Sequence, residues 1–214
     1  MTILLMDPTN RQQLTIGVVT PQASMALAYP GSDMLALTDS VGHPWWSWVS
    51  NALSTVGTHP SQLSRVIIVA GPGALTPLRM VATAAMGLAL VHDTPIEWVP
   101  TDVACGAGYP HSILWTILGG RRHECIVGLV RTQGHHVERL IDPITMPINT
   151  WQTKATQLSP QAKILWANHH PNTPLPSDGL MVTPLQRMQQ LTQWVSQGHT
   201  LEQVPHLQYV YPAI

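Results

Sequence analysis

The feature that most constrains this chain is a helical stretch in which no charged residue occurs between Arg79 and Asp93. Proline is tolerated in a first helical turn, so Pro77 can begin this helix, which then runs to about His92. One face would carry Leu78, Val81, Ala82, Ala85 and Leu88, and the opposite face Met80, Thr83, Ala84, Gly87 and Leu90 or Val91. A helix that is apolar all round is buried on both sides, in a large core or against another chain. A lobe of about 100 residues scarcely has such a core, so the second face predicts contact with another polypeptide.

A second helix, predicted over residues 45–56, has the same character. Pro44 suits its first turn, and Gly57 follows its end. Trp45, Trp48, Val49, Ala52 and Val56 share one stripe at helical spacing, and Trp46 and Leu53 extend the apolar surface around the cylinder. We predict a partner surface on the two helices, formed by Trp46, Val49, Leu53, Met80, Thr83, Ala84, Gly87 and Leu90. The alternative is that both are ordinary core helices whose outer faces meet a second lobe of the same chain.

The low charge of the chain favours a protein partner over nucleic acid. Charged residues make up 10% of the 214 residues, against roughly 25% in an average soluble domain. So low a charge density leaves neutral surface that a partner protein can cover. A net charge of -1 also lacks the basic field that draws a protein to nucleic acid, so we expect any RNA contact to depend on a partner.

The sequence predicts a cytoplasmic protein without a membrane segment. Its N-terminal residues have no basic region and reach Asp7 before a signal-peptide core could form. The most apolar stretch, residues 80–91, is about a dozen residues, short of the roughly 20 that a spanning helix needs. In that compartment Cys105 and Cys125 are expected to be reduced, small buried hydrophobes.

The periodicities predict an α/β layer followed by a second lobe. Strands are predicted over residues 2–6, 14–19, 34–38, 65–70 and 96–99, with the two helices among them. A Gly/Pro-rich stretch at 105–110 is a candidate lobe boundary. Beyond it, strands are predicted over 113–118, 125–131 and 163–167, and helices over 151–158 and 185–197.

Several segments together resemble one protein family. Three segments carry the resemblance: residues 66–79 (VIIVAGPGALTPLR), residues 82–90 (ATAAMGLAL) and Thr94-Pro95. They are similar, in that order, to GPGSFTGLR, ATAKGLA and IP of the TsaB (YeaZ) family. The opening strand with Asp7 resembles the family's IDTS turn, and Gly42-His43 resembles its HS. Residues 121–124 are similar to its ARRGEV, and residues 207–212 are similar to its closing P-x-Y-L-R. By the order and spacing of these segments the chain is identified as a member of that family.

The resemblance implies two actin-like, ribonuclease-H-like lobes, each a mixed sheet with flanking helices, here residues 1–103 and 104–214. Proteins of the family pair through two helices of the first lobe, either with themselves or with the TsaD-type enzyme that makes threonylcarbamoyl-adenosine beside the tRNA anticodon. The implied role is a non-catalytic scaffold that binds and stabilises this transferase, joined by a TsaE-type ATPase subunit. ATP and metal are then expected on the partner subunits, and tRNA would contact this chain only indirectly.

The first turn predicts a degenerate phosphate site. In actin-like ATPases the turn after the first strand wraps a phosphate with backbone N–H groups and a hydroxyl, while an acid helps to hold the metal. Asp7 and Thr9 match that turn, but Pro8 has no N–H to donate, and Gly119 stands where the family tends to have an acid. We therefore predict that the isolated chain hydrolyses no ATP. The Gly71-Pro72-Gly73 segment completes no Walker pattern, which favours a structural role.

No catalytic residue and no metal site is predicted. The histidines include no pair at the i, i+4 spacing that lets two imidazoles share one zinc. The cysteines lack CxxC spacing, and no G-x-S-x-G elbow occurs. Two alternatives stay open: a small-molecule kinase or ATPase that uses the cleft between the lobes, and a diverged, self-pairing paralogue outside this pathway. The paralogue stays open because Ala74, Leu75 and Pro77 stand where the family's GPGSFTG motif has Ser, Phe and its last Gly.

Overall fold

A computed structural model of the chain describes residues 1–30, 44–119, 124–159, 161–167 and 179–204. Its first sheet is formed by β1 (Thr2–Asp7), β2 (Gln13–Val19), β3 (Ser24–Pro30), β4 (Leu63–Val69) and β5 (Ile96–Val99). Its second sheet is formed by β6 (Ile113–Gly119), β7 (Glu124–Gln133), β8 (His136–Pro147), β9 (Lys163–Ala167), β10 (Leu180–Val182) and β11 (Thr200–Leu201).

The two sheets repeat one topology. The strand order is β3-β2-β1-β4-β5 in the first sheet and β10-β9-β6-β7-β8-β11 in the second. In each, the first three strands in sequence form an antiparallel meander, and the next two add in parallel beside the first of them. The second sheet, read from β8 to β10, therefore reproduces the first, with β11 as an addition. This confirms the predicted two-lobe actin-like fold with mixed sheets.

The helices form layers around these sheets. Among the described residues they are α1 (Pro44–Thr55), α2 (Leu75–His92), α3 (Thr101–Gly106), α4 (Ile148–Leu158) and α5 (Pro184–Ser196), with a 3-10 turn at Pro60–Gln62. α1 and α2 share a core with one face of the first sheet, through Leu4, Met6, Ile16, Val66 and Ile68. α4 covers the outer face of the second sheet, where Trp151 contacts Trp166 edge to face.

The two remaining helices, α3 and α5, lie between the sheets and join the lobes. The core between the sheets takes Ile3 and Leu5 from the first and Leu114 and Leu118 from the second. α3 follows β5 of the first sheet but contacts β6, β7 and β8 of the second, whereas α5 follows the second sheet and contacts β1, β2 and β3 of the first. Each lobe therefore supplies a helix to the inner face of the other.

The structure adds elements that the sequence analysis did not predict. The third strand is β3 at Ser24–Pro30, and the predicted strand at 34–38 lies outside the described residues. β8 was not predicted; it contains Pro143, which lies at a register shift of the β7–β8 pair, where a strand tolerates proline. The predicted boundary at 103/104 falls inside α3, and this division of the chain stays a prediction.

α2 is longer than the apolar stretch counted from the sequence. By length and composition alone its 18 residues are enough for a membrane span, and 33% of them are buried inside the fold. The buried residues, among them Val81, Ala85 and Leu88, pack against the first sheet. α2 is thus a core helix of the first sheet on one side and uncovered on the other.

The close approach of β2 and α5 gives a stability prediction. A Cβ on Gly17 would lie 2.3 Å from Thr192 Cγ2 and 2.8 Å from Met188 Sδ. We expect Gly17→Ala to lower the free energy of unfolding in urea by about 1–3 kcal/mol, because the overpacked helix must shift. The matched control is Gly87→Ala on α2, where a Cβ has no atom within 4 Å; it should stabilise by about 0.5–1 kcal/mol through helix propensity. Equal effects of the two substitutions would contradict the packing described.

Candidate functional site

The outer face of α2 is apolar and exposed to solvent. Its buried residues recur at helical spacing and end with Leu88 and Ala89, so the intervening residues face outward. Leu90 is 86% exposed, Val91 75% and Met86 58%. We define the outer face as these three residues with Met80, Thr83, Ala84 and Gly87 of α2 and Trp46 of α1.

Trp46 is the exposed aromatic residue of this set on α1. It is 42% exposed and contacts Trp45 edge to face, at 5.5 Å between ring centroids. α1 is fixed to the sheet beneath it by Trp48, whose ring stacks on Tyr29 at 5.0 Å, while the Tyr29 hydroxyl donates to the Trp48 carbonyl at 3.1 Å. Trp46 is therefore presented on an anchored helix.

The structure corrects two residues of the predicted partner surface. Val49 and Leu53 are fully buried in the core between α1 and the first sheet, so they contact no partner in the folded chain. Sequence periodicity failed here because α1 is apolar on both sides and does not show which side meets the sheet. Met86 was missed, although it lies three residues after Thr83 and four before Leu90 on the same stripe.

The predicted phosphate turn is occupied by the protein's own groups. Thr9 donates from its backbone N (3.0 Å) and its hydroxyl (2.6 Å) to Asp7 Oδ1. Arg187 donates from Nε to Asp7 Oδ2 at 2.7 Å and from a terminal nitrogen to Thr9 Oγ1 at 2.8 Å. All three side chains are buried, with Arg187 at 0% and Asp7 at 1% exposure.

Arg187 reaches this turn because of how α5 begins and packs. Thr183 caps the helix by accepting a hydrogen bond from the Gln186 backbone at 3.2 Å, and Pro184 occupies the first turn. Arg187 therefore falls on the buried stripe of α5, beside Met188 and one turn before Leu191. A guanidinium placed there needs a carboxylate partner, and Asp7 at the end of β1 provides it.

The Gly71-Pro72-Gly73 segment supports the turn from its other side. The backbone N of Ala74 donates to the Thr9 carbonyl at 2.9 Å, and the Thr101 hydroxyl donates to the Pro72 carbonyl at 3.0 Å. A Cβ on Gly73 would lie 2.5 Å from Thr9 Cβ, so only glycine fits. These contacts favour the structural role expected of this segment.

The two cysteines are poor nucleophiles in the folded chain. Burial raises the pKa of the Cys105 thiol to about 11, even though the Arg187 charge beside it acts in the opposite direction. Burial raises the pKa of the Cys125 thiol to about 12. Both thiols are free and protonated at neutral pH.

Across the described parts of the chain, no group of three or more His, Cys, Asp or Glu residues is placed to hold a metal ion. Gly119 ends β6 where the family tends to have an acid. Three of the family matches lie wholly or mostly outside the described residues: Gly42-His43, residues 207–212 and most of residues 121–124. The histidines at 169 and 170 also lie outside them.

Comparisons with known proteins agree with this fold. The family model described as TsaD, tRNA N6-adenosine threonylcarbamoyltransferase, matches residues 46–181, more than half of the chain. A solved protein with similarity to peptidase YEAZ, from Pseudomonas aeruginosa, has a TM-score of 0.67 at 14% identity, covering 95% of this chain and 94% of its own. YeaZ from Pseudomonas aeruginosa has a TM-score of 0.64 at 14% identity, covering 94% and 97%. No curated protein sequence matches the chain.

The buried ion pair predicts a strong dependence of stability on Arg187. We expect Arg187→Met to lower the free energy of unfolding in urea by about 3–5 kcal/mol, because it leaves the Asp7 carboxylate buried without a counterion. The control is Arg131→Met, which breaks the Arg131–Glu138 pair on the surface and should cost less than about 1 kcal/mol. A cost for Arg187→Met as small as that of the control would show that Asp7 is not held as described.

Proposed function

The chain belongs to the TsaD family, a family of tRNA modification, and from this premise we propose that it is a non-catalytic scaffold subunit. In this role it binds and stabilises the TsaD-type transferase through the outer face. The observation that carries the proposal is the exposure of uncharged α2 residues, Leu90 and Val91 above all, on a helix whose other side is core.

The chemistry of the outer face suits a helical protein partner. Gly87 has no neighbour within 4 Å of where a Cβ would be, so a second backbone can approach closely there. Trp46 and Met86 are large exposed side chains that a partner can cover, and such anchors dominate the energy of interfaces. Each square ångström of apolar surface that the partner removes from water contributes about 25 cal/mol.

The interior of the chain supports a scaffold rather than an enzyme. Asp7 and Thr9 are engaged by Arg187, and the two thiols are buried and protonated. We therefore assign the chemistry, the transfer of a threonylcarbamoyl group to the adenosine amine, to the transferase subunit. ATP and metal would be held by that subunit and by a TsaE-type ATPase, with tRNA contacted indirectly and the assembly located in the cytoplasm.

A substitution at Gly87 tests the contact without disturbing the fold. Gly87→Arg places a guanidinium in the centre of the outer face, where the lone chain has room for it. We expect binding to the TsaD-type protein of the same genome to weaken at least about 100-fold in sedimentation, because burying an unpaired charge costs several kcal/mol. The circular dichroism melt should stay within a few degrees of the wild type.

Two controls accompany this variant. Gly87→Ala keeps the close approach and should retain binding. Leu158→Arg adds the same charge at an exposed apolar residue of α4 in the second lobe, 63% exposed, and should also retain binding. Unchanged binding by Gly87→Arg would contradict the assignment of the outer face. Self-association without any affinity for the transferase would favour the self-pairing paralogue.

The role itself is tested by reconstitution. The chain, the TsaD-type protein and the TsaE-type protein are combined in a threonylcarbamoyl transfer assay, and each is omitted in turn. We expect the product to fall to background without this chain and to return when it is added back. Full activity without this chain would overturn the scaffold role.

A further inference from the structure

Each helix between the sheets is tied by one buried ion pair to the sheet of the other lobe. Asp102 on α3 accepts two hydrogen bonds from Arg139 on β8, each 2.7 Å, and is 0% exposed. Arg187 on α5 pairs with Asp7 on β1, at 2.6 Å between its terminal nitrogen and Oδ2. The charges are reversed between the pairs: α3 contributes the carboxylate and α5 the guanidinium.

The Asp7 pair lies in the turn that the sequence predicted as a phosphate site. A nucleotide phosphate would need the Thr9 hydroxyl and free donors of this turn, and its metal would need the Asp7 carboxylate. Arg187 donates to both Asp7 Oδ2 and Thr9 Oγ1, while Asp7 Oδ1 accepts from Thr9 itself. Thr9 is 2% exposed, and its carbonyl accepts from Ala74. The residues present therefore do not fit a bound nucleotide.

We propose that Arg187 is a built-in replacement for a bound nucleotide and holds the two lobes in one relative orientation. Its guanidinium comes from a helix of the second lobe and ends in the first turn of the first lobe, so a relative motion of the lobes breaks its hydrogen bonds to Asp7 and Thr9. Met188, Leu191, Trp194 and Val195 of the same helix lie in the shared core and oppose the same motion. This inference does not depend on the identity of any partner.

The two pairs act together as opposite ends of one clamp. Asp102 ties α3, which follows the first sheet, to the second sheet. Arg187 ties α5, which follows the second sheet, to the first sheet. Rotation of one lobe against the other would have to break both, and each is buried where an unpaired charge is costly. The relative orientation of the two lobes is then independent of ATP.

The experiment measures the distance between the lobes in solution. Spin labels are attached to cysteines introduced at Ser54 on α1 and Lys154 on α4, both exposed, while Cys105 and Cys125 stay unlabelled because they are buried. Electron double resonance should give a single narrow distance distribution for the otherwise unaltered chain, and the same distribution with Mg-ATP. A shift of the mean distance on adding Mg-ATP would overturn the proposal.

Variants of the pair then test its cause. We expect Arg187→Met to broaden the distance distribution at least about twofold. The double variant Asp7→Asn/Arg187→Gln leaves no buried charge unpaired, so it should stay folded if the single variant does not, and it too should broaden the distribution. The matched control is Arg65→Met, which removes a pair with Glu97 inside the first lobe and should leave the distance unchanged. A folded double variant with the narrow distribution of the unaltered chain would overturn the proposal.

Discussion

The packing of α3 and α5 between the two sheets is the constraint on which the rest of the structure depends. Both sheets turn an apolar face toward these helices, and the core that results is continuous from β1 to β6. Because the inner faces are used in this way, the remaining helices lie on the outside. α1 and α2 can then keep an apolar surface exposed without weakening the join between the lobes.

Much of the fold was predictable because its strongest signals are local. The apolar run of β4, the proline-started α2 and the amphipathic α5 correspond to elements of the structure with shifts of a few residues. β3 was missed although Met25, Leu27 and Tyr29 alternate with the smaller Ser24, Ala26 and Ala28, a period-2 pattern that was available as a signal. α3 has only six residues beside a Gly/Pro-rich stretch, so it gave no periodic pattern.

The candidate sites were less predictable because they depend on contacts between distant parts of the chain. Asp7 and Thr9 were recognised as a weakened turn, but nothing near them indicates that Arg187 fills it. One signal was available: an arginine on the buried stripe of α5 requires a buried carboxylate. On α1, periodicity identified two apolar sides but not which side meets the sheet, and for this reason Val49 and Leu53 were misassigned.

The Asp7–Arg187 pair also bears on how the chain is made. β1 is translated well before α5, the helix that covers the inner face of β2 and β3 and carries Arg187. Until α5 is made, the nascent first sheet has an Asp7 carboxylate without its counterion and an uncovered apolar face. Folding of the first sheet is therefore incomplete until α5 leaves the exit tunnel, and a product that ends before α5 would be a substrate for chaperones and proteases.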